Sequence, residues 1–118
     1  MFKVIIAGGR DFNNYNLLKS KVDAILKNKK HDEIEIVSGC AYGVDSLAIR
    51  YADEHNYKLT KCPADWDKFG KSAGYIRNTQ MADYADALIA IWDGKSKGTN
   101  HMIEISKTRK ILVRVINY

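Results

Sequence analysis

A chain of 118 residues, 46% hydrophobic and 28% charged, is long enough to bury a core and ordinary for one water-soluble globular domain spanning 1–118. Its longest apolar run, Ala87 to Trp92, is far too short to cross a bilayer, which excludes a helical membrane protein, and the net charge of +5 suits an anionic partner. Cys40 and Cys62 have neither metal nor redox spacing and read as free thiols, and the N-terminal FKVIIAGGR reads as a strand and not a signal peptide, so the expected location is cytoplasmic.

Phe2 to Ala7 is a near-continuous apolar strand that runs into Gly8-Gly9-Arg10-Asp11-Phe12. From about Asn14 to Lys29, Leu18, Val22, Ile25 and Leu26 mark one face of a helix. Lys19, Lys21, Lys27, Lys29 and Lys30 lie on that helix or at its end, a solvated face and not a nucleic-acid track. Glu33 to Val37 is a second strand, followed by the small-residue turn Ser38-Gly39-Cys40-Ala41-Tyr42-Gly43. A helix opens after it, with Val44, Leu47, Ala48, Tyr51 and Ala52 on its dry face. Tyr57 to Cys62 alternates apolar and polar residues and suits a sheet edge, and an irregular stretch from Pro63 to Gly70 follows. A helix from about Ser72 to Tyr84 has Ile76, Gln80, Met81 and Tyr84 in register. Ala87 to Trp92, wholly apolar, fits a central parallel strand and ends in Asp93-Gly94-Lys95-Ser96-Lys97-Gly98-Thr99. A last helix reaches about Lys107, and Ile111 to Ile116 closes the chain as a fifth strand.

Strands alternating with helices predict an α/β Rossmann-like domain: a five-stranded parallel sheet with helices on both faces. The order 3-2-1-4-5 puts the alternating strand and the last strand at the edges, although 2-1-3-4-5 fits the pattern nearly as well. In either order, the loops after strands one to four gather on one edge of the sheet. Those four loops hold Gly, Ser, Asp and Arg, whereas the opposite connectors are simple and polar. The asymmetry predicts a ligand site. Its candidate residues are Gly8, Gly9, Arg10 and Asp11; Ser38, Gly39, Ala41, Gly43 and Asp45; Asp65 and Trp66; Arg77 and Asn78; and Asp93, Gly94, Lys95, Ser96, Gly98 and Thr99.

The chemistry these residue types suggest is anion binding. Free N–H groups and a partial positive charge at a helix start hold a phosphate on residues 39–45, and a Gly43→Val substitution is expected to block that approach without disturbing the core. Arg10, after two glycines at a strand end, is placed as a fork for phosphate or carboxylate. Arg77 either reaches the ligand or pairs with Asp65 or Asp67 to pin a loop. Ser96, Gly98 and Thr99 serve as helix caps or as anion donors. Trp66 stacks a base or acts as packing, and packing is the preferred reading for Trp92. His101 is a further contact candidate, whereas His31 and His55 read as surface residues. No metal-ligand spacing, catalytic triad, GxGxxG or GxxxxGK[ST] stands in the chain, so no metal or cofactor is expected.

Together the four loops resemble the SLOG superfamily of small Rossmann-like proteins, in particular its YspA-like, cpYpsA-related branch. The resemblance rests on GGRDF at 8–12, SGCAYGVD at 38–45, PADW at 63–66, GYIRN at 74–78 with Met81, and WDGKSKGT at 92–99, and covers nearly the whole chain. The second piece is similar to the phosphate-contacting loop of the DNA-processing protein DprA. The last two resemble, more loosely, the Arg-containing helix and Gly-Thr loop of the LOG phosphoribohydrolases. The resemblance implies a protein that binds a nucleotide or nucleotide-derived signal, as a sensor or a sequestering protein. The alternatives are a nucleotide N-glycoside hydrolase and a DprA-like single-strand DNA binder. In the LOG pattern an essential Glu stands three residues after Gly-Thr. Here that place is Met102, and Glu104 lies about 200° further round a helix. The expected partner is therefore a small nucleotide, with a homo-oligomer left open and nucleic acid set aside on the dispersal of the lysines.

Overall fold

A computed structural model describes residues 1–118. Five parallel strands lie in the order β3-β2-β1-β4-β5: β1 (Phe2–Gly8), β2 (Ile34–Ser38), β3 (Lys58–Lys61), β4 (Ala87–Trp92) and β5 (Leu112–Asn117). The first of the two predicted orders is the one observed. Four twelve-residue helices make the crossovers: α1 (Tyr15–Leu26), α2 (Val44–His55), α4 (Ala73–Tyr84) and α5 (Lys97–Thr108), with a single-turn helix, α3 (Trp66–Phe69), ahead of α4.

Successive strand residues face opposite sides, and this divides the interior into two cores. Val4, Ile6, Ile34, Ile36, Ile89 and Ile91 meet α1 and α2 through Leu18, Val22, Ala48 and Tyr51. Ile5, Ala7, Val37, Leu88 and Ala90 meet α4 and α5 through Met81, Ala82, Met102 and Ile103. Fully burying one such aliphatic side chain is worth about 1.5–3 kcal/mol, so a charge placed at Ile89 would unseat the layer packed on α1 and α2.

Two local readings change. Of the face expected on α4 through Ile76, Gln80, Met81 and Tyr84, only Met81 is buried: the buried face is Ala73, Arg77, Asn78, Met81 and Ala82, with Gln80 and Tyr84 exposed. Two polar side chains are turned inward because loops on either side use their hydrogen bonds. On β3, neither face is left simply to water. Thr60 Oγ1 donates to Glu35 Oε2 at 2.8 Å and Lys58 Nζ lies 3.2 Å from Glu35 Oε1, which pairs the carboxylate buried on β2. No helix is long and apolar enough to cross a membrane.

Candidate functional site

All four loops converge at the carboxyl edge of the sheet. The loop after β2 is tied down first. Ser38 Oγ donates to the Asp45 carbonyl at 2.8 Å and accepts from the Cys40 N–H at 3.2 Å; Asp45 Oδ2 accepts from the Ala41 N–H at 3.3 Å. The Val44 N–H donates to the Gly9 carbonyl at 3.2 Å and joins this loop to the one after β1. Gly43 is the residue that makes this join possible. Its φ is +76°, and a Cβ there would collide with the Gly9 carbonyl oxygen and lie 2.7 Å from the Arg10 Cα. A valine at 43 therefore breaks the loop packing itself, contrary to the expectation that it would only obstruct a ligand.

Behind the loop stands Arg77, which is buried. Its Nη1 donates to the Gly39 carbonyl and its Nε to Asn78 Oδ1 at 3.0 Å. Asn78 Nδ2 continues to the Gly98 carbonyl at 3.2 Å and lies 3.2 Å from His101 Nδ1. This chain of bonds from α4 staples the loop after β2 to the start of α5. Arg77 pins loops, as one reading had it, but through a carbonyl and beside Asp45, not through Asp65 or Asp67. A Cβ on Gly39 would stand 2.7 Å from Arg77 Nη1 and 2.8 Å from Asp45 Oδ2, so those two charged groups close on the same glycine. Burial pushes the Asp45 carboxyl up to about 6, with the Arg77 guanidinium and the Ala41 and Gly8 amides opposing the shift.

The loop after β4 is built differently. Asp93 Oδ1 accepts from the Lys95 and Ser96 N–H groups, both at 2.8 Å, which holds its pKa below the usual carboxylate range. Ser96 caps α5 by accepting from the Thr99 N–H at 3.4 Å, and Trp92 Nε1 donates to the Ser96 carbonyl at 3.1 Å. Asp65 caps α3, accepting from the Lys68 N–H at 3.1 Å. Met102 is buried and Glu104 exposed, so the α5 face towards the loops carries no carboxylate at either position.

Two clefts open on this edge. The first, of about 510 Å³, has walls from Gly8–Asp11, Trp66, Lys71, Gly74, Tyr75, Asp93 and Ser96, and a floor that includes Ala7, Met81 and Met102. The second, of about 380 Å³, lies along Gly39–Tyr42, Ser46, Pro63 and Ala64. They share Arg10, Ala41, Trp66 and Arg77 as walls and so adjoin as one two-part depression. Of the predicted residues, Gly8, Gly9, Arg10, Asp11, Gly39, Ala41, Asp45, Trp66, Arg77, Asn78, Asp93, Ser96, Gly98 and Thr99 line it. Ser38, Gly43, Asp65, Gly94 and Lys95 do not. Tyr42, Lys71 and Tyr75 line it without having been singled out. In a parallel α/β sheet each helix begins at the loop edge, so the first turn of α4 and the two residues before it were the signal for Tyr75 and Lys71. No group of three or more His, Cys, Asp or Glu side chains is placed to hold a metal ion.

Sheet order, crossovers and loop edge define a Rossmann-like α/β protein whose site lies at the carboxyl ends of the strands. The chain belongs to the YspA, cpYpsA-related SLOG family (YAcAr), whose model matches residues 2–69. It is 30% identical to the Gene 61 protein of Mycobacterium phage D29 over 124 residues, covering all of this chain and 97% of that protein. Among solved structures, DNA processing protein A of Streptococcus pneumoniae has the same fold, with a TM-score of 0.79 and 19% identity. That of Helicobacter pylori follows at 0.67 and 20%. All and 97% of this chain align, but only 51% and 64% of those chains, so it spans about half to two thirds of their length. The Helicobacter pylori structure is described by its single-stranded DNA binding mode. That overturns the expectation that nucleic acid could be set aside as a partner. The expectation rested on the scattered α1 lysines, whereas the cations that bear on the groove are Arg10, Lys71 and Arg77.

Proposed function

We propose that this protein binds single-stranded nucleic acid along the carboxyl edge of its sheet. The observation that carries the reading is that two clefts adjoin across Arg10, Ala41, Trp66 and Arg77. Each falls within the span of small-ligand sites, about 300–1,000 Å³, and the two side by side offer separate places for successive parts of one strand. Trp66 and Tyr75, exposed to 50% and 47%, stand along the first cleft as faces on which unpaired bases can stack. Arg10 is free of any ion pair and lies where the clefts meet, placed to take a phosphate. The fold shared with DNA processing protein A, and the DNA-binding mode for which one such structure is described, support the same reading.

A free nucleotide or nucleotide-derived signal is the second reading, favoured by the apolar floor of the first cleft alone. Hydrolysis of an N-glycosidic bond is disfavoured. The transition state gathers positive charge on the sugar and needs a nearby carboxylate; Met102 occupies the place where the LOG pattern has one, so the carboxylate would have to come from another loop, as Asp11, Asp45 or Asp93.

The deciding measurement is fluorescence anisotropy with a labelled thymidylate oligomer of about a dozen nucleotides, in competition with thymidine monophosphate. The oligomer is expected to bind, and the monophosphate to compete only at far higher nucleotide concentration. Arg10→Ala is expected to weaken oligomer binding by roughly ten- to a hundredfold. Equal competition per nucleotide would replace this reading with the free-nucleotide one, and an unaffected Arg10→Ala variant would remove the proposed phosphate contact.

A further inference from the structure

We propose that the two clefts divide each bound nucleotide between them, the second holding the phosphodiester and the first the base. This rests on the strand reading and deepens it by giving the strand an orientation across the groove.

The charges are unevenly distributed. The first cleft is lined by three cations, Arg10, Lys71 and Arg77, and by three carboxylates, Asp11, Asp45 and Asp93, so its ionisable side chains sum to zero. The second has Arg10 and Arg77 and no carboxylate. A phosphate in the first cleft would stand among like charges in a partly enclosed space, where repulsion is poorly screened. Asp93 also takes the Lys95 and Ser96 N–H groups on that side. In the second cleft a phosphodiester meets Arg10 and Arg77 with no carboxylate lining the space; the Cys40 and Ala41 N–H groups and the Ser46 hydroxyl are already bonded to Ser38, Asp45 and the Ala41 carbonyl, so the guanidiniums are what holds it.

The first cleft suits the uncharged part of a nucleotide for the opposite reasons. Ala7, Met81 and Met102 give it an apolar floor, and thioethers adapt their shape to a flat ring. Trp66 is a wall of both clefts and Tyr75 of the first only, so a base in the first cleft has aromatic side chains in its walls. Arg10, common to both, marks where sugar and phosphate join.

Two substitutions separate the clefts without touching the core. Gly98 lines the first cleft, and a Cβ there meets nothing within 4 Å, so Gly98→Leu adds bulk without a backbone collision. Tyr42 lines only the second and is largely exposed. Comparing Tyr42→Glu with Tyr42→Gln therefore isolates one added negative charge from the loss of the ring. Affinities for thymidylate and adenylate oligomers are measured across a salt series. Gly98→Leu is expected to weaken binding roughly tenfold by the same factor at every salt concentration, and more for adenylate than for thymidylate, because it fills space meant for a base. Tyr42→Glu is expected to bind roughly fivefold or more below Tyr42→Gln at low salt, a gap that closes as salt rises, because it repels phosphate. The reverse pattern, with the Gly98→Leu effect fading in salt and the Glu–Gln gap constant, would overturn the division while leaving strand binding intact. No oligomer binding by the unaltered protein would remove both.

Discussion

The loops after β2 and β4 are both short and contain glycine, and both lead into a helix, yet they are built on opposite principles. Between β2 and α2, glycine marks crowding. Gly39 is wedged between Arg77 and Asp45, and Gly43 lies against the Gly9 and Arg10 backbone. Between β4 and α5, glycine marks space. A Cβ at Gly94, whose φ is +82°, or at Gly98 in the first turn of α5 meets nothing within 4 Å, and the loop is shaped instead by the Asp93 carboxylate and the Ser96 cap. A small residue in a site loop can therefore mean that protein comes close or that room is left open, and only the surrounding chain tells which.

The largest expected effect tests the crowded side. Gly43→Val combines a left-handed backbone with a collision against backbone atoms that have no flexible end to move, and is expected to cost more than about 3 kcal/mol. Chemical denaturation checks it. A midpoint like that of the unaltered protein would mean that the two loops are not locked together through this glycine.

Next comes Asp45, the carboxylate enclosed by the crowded loop. Its folded pKa, about 6, stands above the unfolded value of 3.8, so the stability it contributes is full below pH 4 and lost as pH rises through 6. At neutral pH the loss is on the order of 3 kcal/mol, since each tenfold change in an ionisation constant is worth about 1.4 kcal/mol. Unfolding free energies of Asp45→Asn and the unaltered protein, compared from pH 4 to pH 7, are expected to move in favour of the variant as pH rises. A difference independent of pH would show that Asp45 ionises as freely as in water. The smallest effect tests the open side. Gly98 lies in the first turn of α5, and Gly98→Ala is expected to be neutral or to stabilise by up to about 1 kcal/mol, read as a small rise in the melting temperature. A clear loss would mean that the loop after β4 is as tightly closed as its counterpart.

The sheet was legible because its signals are local. Ala87–Trp92 has no polar residue to give to water and so is central, while the lysines of Lys58–Lys61 suit an edge. Convergence of the loops followed from parallel strands alone. The face of α4 was not legible, since Arg77 and Asn78 interrupt its apolar period and are buried only because Gly39 and Gly98 present carbonyls to them. The single turn Trp66–Phe69 rests on the Asp65 cap with no buried residue of its own, which leaves no periodicity to read. Anion donors expected at residues 40, 41 and 44 are taken within the fold by Ser38, Asp45 and Gly9, contacts that spacing along the chain does not reveal.

Trp66 gives the most direct test of strand binding at this edge. It is half-exposed and borders both clefts, while Trp92, the other tryptophan, borders neither and is bonded to the Ser96 carbonyl. Titrating the protein with a thymidylate oligomer is predicted to quench tryptophan emission, and Trp66→Phe to abolish the quenching while leaving the Trp92 signal in place. Quenching that persists undiminished in Trp66→Phe, or emission that stays unchanged at saturating oligomer, would contradict a strand lying along this groove.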